Sequence, residues 1–433
     1  MVAGSRVRRC ATIRRMRTQS TRTPELLAPA GGLAQLEAAL RFGADAVYLA
    51  ADRFGLRQRA ANFALDDVPA AAARAHDAGA KAYATLNALM DADDLKALPA
   101  YLEALAAAGV DAFIVSDLGA LRLAQRHAPN VELHVSTQAS VCNAEAARVW
   151  HELGASRVVC AREMSVEDIA RLRAGAPREL ELEAFVHGAM CMAVSGRCLI
   201  SAALTGRSGN KGHCTQPCRW SYALVEEQRP GEFFPVEEDV RGTYVMNAQD
   251  LNMLAHLDDL AAAGIDSFKI EGRNKKAFYV ASVVRAYRLA LDGVPSSELA
   301  DELLAVSHRP YGTGFYYGDA RQSPDVDGYT AECRHAATVE ACEPAGEGAF
   351  RVIARCYNRF CEGDELEALS PGPHVPRVRV RNLAWLPEPD GDDAQPKRVP
   401  VAVANRSAER YAFETGEELA PGDFLRMRIN VER

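Results

Sequence analysis

Short apolar runs alternate with alanine-rich amphipathic stretches through the first two-thirds of the chain. A short apolar run bounded by turn residues is typical of a buried strand, and the longer stretches between the runs are typical of helices. Several of these stretches end in glycine, which can adopt the left-handed conformation that turns a helix back into a strand. The pattern predicts eight strands, at 25–30, 44–50, 80–87, 110–117, 131–139, 155–161, 180–188 and 265–272.

Eight strands that alternate with helices favour an α/β fold, a (β/α)8 TIM-like barrel. An open, doubly wound sheet is the alternative, but no G-x-G-x-x-G motif follows the first strand, so its dinucleotide-binding form is unsupported. The active sites of such barrels form where the strands end and the loops to the next helix begin. The residues at these positions are Pro29, Asn87, Asp117, Gln138, Arg162, His187 and Glu271.

After about residue 296 the pattern changes to short alternating runs, which Gly, Pro and Asp turns separate. Such runs are typical of strands in a small β domain. We therefore predict a barrel domain over 23–295 and a small all-β, barrel-like C-terminal domain over 296–433.

The first 22 residues contain seven arginines and no acidic residue. They lack the apolar region of a secretory signal, and we predict a basic disordered extension. The formal charge is −8 in total, so −15 remains once these seven positive charges are set aside. An acidic body argues against a broad, nonspecific coating of nucleic acid, although it is compatible with a local basic patch. Because no apolar run reaches about 18 residues, we expect no transmembrane helix and a cytoplasmic protein.

Four of the eleven cysteines lie close together, in a C-x6-C-x15-C-x3-C pattern formed by Cys191, Cys198, Cys214 and Cys218. With no secretory signal predicted, we expect thiols rather than disulfides. Four thiolates can bind zinc or hold an iron–sulfur cluster, and the spacing leaves both open. The pattern follows the seventh predicted strand directly, in a cysteine-rich insertion at about 188–245. A barrel would therefore place it on the catalytic face.

The seventh predicted strand carries a second set of candidate residues. Glu183, Phe185 and His187 alternate, so we expect all three side chains to point to one side of the strand, into the barrel. A carboxylate there needs a partner, and Lys269 or Arg273 of the adjacent eighth strand can provide it. A catalytic role for Glu183 and His187 is one interpretation, and a buried structural ion pair with a structural histidine is the other.

The fifth predicted strand and the last loops add further candidates. His134 and Gln138 are predicted to share one face of the fifth strand, with Gln138 at the strand end, where it can hydrogen-bond a substrate. Arg197 and Arg273 are candidates for binding carboxylates, because a guanidinium group binds them in a bidentate manner.

Four segments together resemble peptidase family U32, a collagenase-like group: ELLAPAGG, HVSTQAS, FVHGAMCMAVSGRCLIS and SFKIEGR. The resemblance runs from about residue 24 to the C-terminus. Within the family, GHCTQPCRW, MNAQDL and the appended β domain look most like the prephenate-dependent tRNA hydroxylation branch.

This resemblance implies an enzyme that places a hydroxyl group on carbon 5 of the wobble uridine, in the anticodon region of tRNA, with prephenate as the hydroxyl donor. It implies a 4Fe-4S cluster bound by Cys191, Cys198, Cys214 and Cys218, with zinc as the alternative. For such an enzyme we expect catalytic roles for His187, Glu183 and Gln138, and substrate binding by Arg197, Arg273, Lys269, Glu271 and His134.

Three other functions stay open: a U32-type peptidase, hydroxylation of ribosomal RNA, and a metal-stabilised RNA-binding module without catalysis. Against a peptidase, the flanks of Ser195 do not form G-x-S-x-G, and H-E-x-x-H is absent from the chain.

Overall fold

The computed structural model describes residues 23–56, 61–190, 198, 200–217, 220, 223–224, 234–235, 249–320, 329–346, 348–387 and 397–429. The predicted basic extension at 1–22 and part of the cysteine-rich insertion lie outside these ranges. None of the helices within them is both long and apolar enough to cross a membrane.

Eight parallel strands close into a barrel, because the last of them pairs with both the seventh and the first. All eight predicted strands and the TIM-like barrel are confirmed, and the open sheet is excluded. The barrel strands are β1 (Glu25–Ala30), β2 (Ala46–Leu49), β3 (Lys81–Leu86), β4 (Ala112–Val115), β5 (Glu132–Val135), β6 (Arg157–Val159), β7 (Glu181–Ala189) and β11 (Ser267–Ile270).

Helices follow these strands and cover the outside of the barrel with a single large apolar core. Several end at glycines with positive φ, such as Gly79 at 76° and Gly109 at 83°, as the sequence predicts. The helices are α1 (Leu33–Arg41), α2 (Val68–Asp77), α3 (Ala92–Ala107), α4 (Leu118–His127), α5 (Ala144–Glu152), α6 (Val166–Gly175), α7 (Ile200–Thr205), α8 (Leu257–Ala262), α9 (Ala277–Leu291) and α10 (Ser296–Leu304).

The cysteine-rich insertion begins at the end of one strand, and the chain returns from it in a second strand that pairs with the first. β10 (Asp250–Asn252) runs antiparallel to the end of β7, with Asp250 opposite Ala189. The short strand β12 (Tyr311–Gly312) then pairs with β10. Two further strands, β8 (Ala223–Leu224) and β9 (Phe234–Pro235), pair with each other within the insertion. The two ends of the insertion are therefore hydrogen-bonded neighbours.

The C-terminal part is an antiparallel sheet of eight strands with a core of its own. In chain order, its strands are β13 (Cys333–Gly346), β14 (Ala349–Cys356), β16 (Glu365–Leu369), β17 (Arg377–Arg379), β18 (Arg381–Leu386), β19 (Val399–Pro400), β21 (Arg410–Thr415) and β22 (Phe424–Arg428), and β15 (Phe360–Cys361) pairs separately with β20 (Val403–Ala404).

The order of strands in this sheet is β17-β16-β22-β13-β14-β21-β18-β19. Only Val380 separates β17 from β18, which lie towards opposite ends of that order, so the sheet must curl around its core. This confirms the barrel-like β domain. Its first strand begins at Cys333, later than residue 296, because α10 and Tyr316 pack into the core of the (β/α)8 barrel.

Buried ion pairs and aromatic contacts join the two domains. The Arg426 guanidinium donates to both carboxylate oxygens of Glu302 at 2.7 and 3.0 Å, and both side chains are buried. Arg285 of α9 donates to the carbonyl groups of Ser370, Gly372 and Pro373. Because a buried guanidinium tolerates few alternative positions, these contacts fix the β domain against α9 and α10.

Inside the barrel, charged side chains form a network between the strands. Arg157 contacts Glu25 at 2.6 Å, Glu181 at 2.6 Å and Glu183 at 3.2 Å. The Glu25 carboxylate also accepts hydrogen bonds from Tyr83 at 2.7 Å and from the Ser267 hydroxyl at 2.8 Å. The network therefore ties β1, β3, β6, β7 and β11 together.

We expect the barrel to lose stability in acid through Glu25. Burial alone would raise the pKa of Glu25, but Arg157 and the hydroxyls of Tyr83 and Ser267 hold this pKa below its ordinary value of 4.5. Because the pKa is lower in the folded state, the contribution of Glu25 is complete above pH 4.5 and is lost as the pH falls through the folded-state value. Glu25→Gln should therefore cost about 2 kcal/mol of stability at pH 7 and progressively less below pH 4.5.

Thermal unfolding midpoints of Glu25→Gln and of the unmodified protein, between pH 7 and pH 3, measure this difference in stability. Glu145→Gln is the control, since Glu145 forms an exposed pair with Arg148 on α5 and should change the midpoint little at any pH. A constant gap between Glu25→Gln and the unmodified protein across this range would contradict the expectation.

Candidate active site

A cavity opens at the carboxyl ends of the barrel strands, with about 470 Å³ of empty space that includes the open solvent at its entrance. This is the face on which barrel enzymes carry their active sites. Its lining combines three cations, one carboxylate, several amides and hydroxyls, and aromatic rings. The lining residues are Tyr48, Leu56, Thr85, Asn87, Ile114, Ser136, Thr137, Gln138, Val159, Arg162, Phe185, Lys269, Glu271 and Arg273.

Three cationic side chains line this mouth, and each is held in place. Arg162 stacks on the Phe185 ring at 3.7 Å, donates to the Ala189 carbonyl at 2.7 Å and lies 3.9 Å from Glu271. Arg273 donates to the Thr85 hydroxyl at 3.2 Å and to the Leu56 carbonyl. Among the described residues that line the cavity, these three cations face one carboxylate, Glu271.

The third cation, Lys269, connects the mouth to the interior of the barrel. Its ammonium group lies 2.6 Å from Glu183 and 4.6 Å from the centre of the Tyr48 ring. This confirms Lys269 as the predicted partner of Glu183; Arg273 bonds elsewhere. Glu183 itself is fully buried, and its second oxygen accepts from Arg157 at 3.2 Å. Both oxygens of Glu183 are thus engaged below the cavity, which is the environment of a structural ion pair.

The expectation that His187 shares the barrel face of Glu183 is wrong. The pairing of β7 with β11 shifts by one residue, so Phe185 lies opposite Lys269 but His187 lies opposite Ile270. The extra residue is Val186, and such a bulge turns the following side chain to the other face of the strand. His187 therefore leaves the barrel interior.

On the outer side of β7, the His187 ring lies in an aromatic environment. Its centre lies 5.5 Å from Tyr287, 6.0 Å from Tyr279 and 5.4 Å from Tyr311. Burial, with the charges of Lys275 and His308, lowers the pKa of His187 to about 3. The imidazole is thus neutral, and its Nε2 makes no hydrogen bond within the described ranges.

The structure also separates His134 from Gln138. β5 ends at Val135, and Gln138 lies in the 3-10 turn Thr137–Ala139 that follows it. His134 is buried within the barrel, where its ring packs edge-on against Tyr83 at 4.8 Å. Gln138 lines the mouth, and its carboxamide makes no hydrogen bond to any residue that the structure describes. Of this pair, Gln138 alone is in position to contact a ligand in the cavity.

Of the four candidate cysteine ligands, Cys198 and Cys214 are described, and both are half-buried free thiols. The Cys214 sulfur accepts the Gln216 N–H at 3.3 Å, and the Cys198 N–H donates to the Asn210 side chain at 3.2 Å. Cys191, Cys218 and Arg197 lie outside the described residues.

The described part of the insertion rests on the loop after β3. The Leu89 N–H donates to the Asn210 carbonyl at 2.8 Å, and Lys211 pairs with Asp91 at 2.6 Å. Asn87 of the same loop lines the mouth. The two described cysteines therefore belong to a segment that is anchored beside the cavity.

The sequence analysis names Asn87 and Arg162 among the strand-end residues but assigns them no role, because nothing in their local sequence marks them above the other strand ends. It does not name Tyr48 or Thr85. Tyr48 and Thr85 lie within apolar runs, where their inward orientation follows only from the alternation along β2 and β3. The signal that could have found them is this alternation combined with the closed barrel.

Comparison with known proteins supports one family. The profile of Peptidase family U32 matches residues 31–325. The chain is 34% identical over 415 residues to tRNA hydroxylation protein P1 of Bacillus subtilis, covering 94% of this chain and 95% of that protein. It is 42% identical over 300 residues to tRNA hydroxylation protein P of Helicobacter pylori strain J99, covering 67% and 71%.

A third relative acts on a different RNA. The chain is 38% identical over 277 residues to the 23S rRNA 5-hydroxycytidine C2501 synthase of Escherichia coli. This match covers 64% of this chain and 40% of that protein. The match covers the full length of neither chain. On the profile match and these identities, the chain is a member of peptidase family U32.

Proposed function

We propose that this protein hydroxylates carbon 5 of the wobble uridine of tRNA, with the barrel mouth as the site of reaction and prephenate as the hydroxyl donor. The similarity to a tRNA hydroxylation protein along 94% of the chain is the observation that carries the proposal. Hydroxylation of ribosomal RNA is the second candidate. The relative with that activity favours it, although the match covers 64% of this chain and 40% of that protein.

The charge of the mouth suits a small dicarboxylate. Arg162, Lys269 and Arg273 line the cavity, Glu271 lies 3.9 Å from Arg162, and Glu183 beneath the cavity already pairs with Lys269. Among these described residues the positive charges outnumber the negative ones by one, which favours an anionic ligand. A guanidinium that is already stacked on a ring is restricted to few orientations, and it binds a carboxylate with two parallel hydrogen bonds. The Arg162 guanidinium is stacked on the Phe185 ring in this way.

The neutral polar groups of the mouth suit a base. A uracil ring has hydrogen-bond donors and acceptors along one edge, which a carboxamide complements, and Gln138 has its carboxamide available. Asn87 is held by Ser136 at 3.1 Å, which fixes the wall beside it. An enzyme that acts on a base usually takes it out of its stack, and a recessed mouth requires this.

The cysteine-rich insertion supports a 4Fe-4S cluster bound by Cys191, Cys198, Cys214 and Cys218. The chemistry of the donor set fits: the two described cysteines are free, and Cys214 already accepts an N–H hydrogen bond of the kind that tunes cluster sulfur. When bound, such a cluster supplies redox or Lewis-acid chemistry beside the mouth. The tasks of this chain's own residues are to bind the dicarboxylate, orient the base and exclude water.

Deletion of the gene should abolish 5-hydroxyuridine and its derivatives at position 34 of tRNA. Mass spectrometry of nucleosides from purified tRNA measures this loss, and a plasmid copy of the gene should restore the modification. Ribosomal RNA from the same cells is the internal comparison. Unchanged tRNA together with a missing ribosomal hydroxycytidine would replace the proposal with the second candidate, and no change in either RNA would exclude both.

The anaerobically purified protein should be brown, with broad visible absorption from iron–thiolate bonds. Cys214→Ser should lose most of this absorption and the bound iron, because a serine hydroxyl is a poor ligand for iron in a cluster. Cys342→Ser is the matched control, since Cys342 is also a half-buried thiol that accepts a backbone N–H, from Leu419 at 3.4 Å, but it lies in β13. A colourless protein with stoichiometric zinc would refute the cluster.

Arg162→Gln should raise the Kd for prephenate at least about tenfold, because a charge-assisted hydrogen bond contributes about 1.5–3 kcal/mol. Isothermal titration calorimetry on the anaerobic protein measures this change. Arg171→Gln is the control, since Arg171 pairs with Glu167 on the exposed side of α6. Equal affinities for both variants would remove Arg162 from the dicarboxylate site.

A further inference from the structure

A second and larger cavity lies between the two domains, with about 1330 Å³ of empty space that includes the open solvent at its entrance. Helices α1 and α9 form one wall, and the β domain forms the other. We call it the interdomain groove. Its lining residues are Ala34, Gln35, Glu37, Ala38, Arg41, Lys276, Ala277, Phe278, His335, Thr338, Glu340, Arg355, Tyr357, Asn358, Ser407, Gly422 and Phe424.

Three rings stack in succession across this groove. Phe278 of α9 stacks on His335 of β13, with ring centres 5.4 Å apart and an angle of 14° between the planes. His335 stacks in turn on Tyr357, at 4.5 Å and 26°. Phe278 and His335 are largely covered, whereas Tyr357 is 45% exposed. The stack therefore ends at Tyr357, whose ring contacts His335 and is otherwise accessible from the groove.

Hydrogen bonds fix the backbone segments that carry this stack. The Tyr357 N–H donates to the Ala336 carbonyl at 2.8 Å, and the Asn358 side chain donates to the His335 carbonyl at 2.7 Å. Burial lowers the pKa of His335 to about 4, so its ring is neutral at physiological pH. A neutral, fixed aromatic face offers stacking to a planar ring at little entropic cost.

The charges of the groove favour an anion. Its two carboxylates are both paired: Glu340 accepts from Arg355 and Arg410 at 2.7 Å each, and Glu37 pairs with Arg74. Lys276, by contrast, forms no ion pair with the residues that the structure describes. The groove thus has a cation available beside an exposed ring, on a protein whose body is acidic.

The groove is also connected to the barrel mouth through one short loop. Glu271 and Arg273 of the β11–α9 loop line the mouth, and Lys276 of the same loop lines the groove. The Gln35 side chain donates to the Lys275 carbonyl at 3.0 Å, which fixes this loop to α1. Residues of one short loop therefore belong to both sites.

We propose that the interdomain groove binds an unpaired nucleotide of the tRNA substrate, with its base stacked on Tyr357 and its phosphate near Lys276. The inference rests on the proposed function for the identity of the RNA. Single-stranded bases are recognised on aromatic side chains in this manner, and backbone phosphates are neutralised by nearby lysines. The groove holds a flanking nucleotide and not the uridine that reacts.

Binding of unmodified tRNA to the full-length protein, measured by fluorescence anisotropy, tests this proposal. Tyr357→Ala should raise the Kd about tenfold, because stacking on one aromatic ring is worth about 1–3 kcal/mol per base. Tyr357→Phe keeps the ring and should bind within about twofold of the unmodified protein. Lys276→Ala should lower the slope of log K against log salt by about one, whereas Lys96→Ala should not, since Lys96 is an exposed partner of Asp93 on α3.

Ultraviolet crosslinking of the unmodified protein to tRNA is a second measurement that needs no variant, and the crosslinked peptide should contain Tyr357. Equal binding by Tyr357→Ala and Tyr357→Phe, or crosslinks that avoid the groove, would overturn the proposal while leaving tRNA hydroxylation intact. Weaker RNA binding by Tyr357→Ala alongside unchanged tRNA nucleosides in the deletion strain would support the groove and refute hydroxylation. A protein that binds no tRNA would overturn both.

Discussion

The carboxylate of Glu183 is the group on which the rest of the barrel depends. It is fully buried, and an unpaired charge there would cost several kcal/mol. Arg157 from β6 and Lys269 from β11 each bond one of its oxygens, so a single side chain of β7 joins the strands on both sides. Because Lys269 also lines the mouth, this pairing determines where a positive charge meets the cavity. The charge distribution of the candidate active site thus depends on the ion pairs of Glu183 beneath the cavity.

Two buried arginines connect the β domain to the loop that lines the candidate active site. Arg285 and Arg426 lock the β domain onto α9 and α10, and α9 begins directly after the loop that carries Glu271 and Arg273. Any displacement of the β domain would therefore act on the loop that completes the mouth. This is a physical reason for the β domain to be more than an appended module.

Much of the fold follows from local patterns in the sequence, and the failures have identifiable causes. The short apolar runs predict the eight barrel strands, and the period of two along the seventh predicts an inward Glu183 with Lys269 or Arg273 as its partner. The same period gives the wrong orientation for His187, two residues after Phe185. The cause is the one-residue bulge at Val186, which has no marker in the sequence. Gln138 was placed at the mouth for an incorrect reason, since it lies in a 3-10 turn after β5 rather than on the strand. Local patterns give the orientation of a side chain only as long as the strand stays regular.

The pairing of β7 with β10 has a consequence for how this family can vary. Asp250 lies opposite Ala189, so the two ends of the insertion between them are already held together by a strand pair. The cost of closing such a loop grows only slowly with its length. The barrel can therefore accept insertions of very different size at this point without disturbance to its own strands. A single scaffold can exchange the segment that is anchored beside its mouth, and new chemistry can arise there while the folding of the barrel is unaffected.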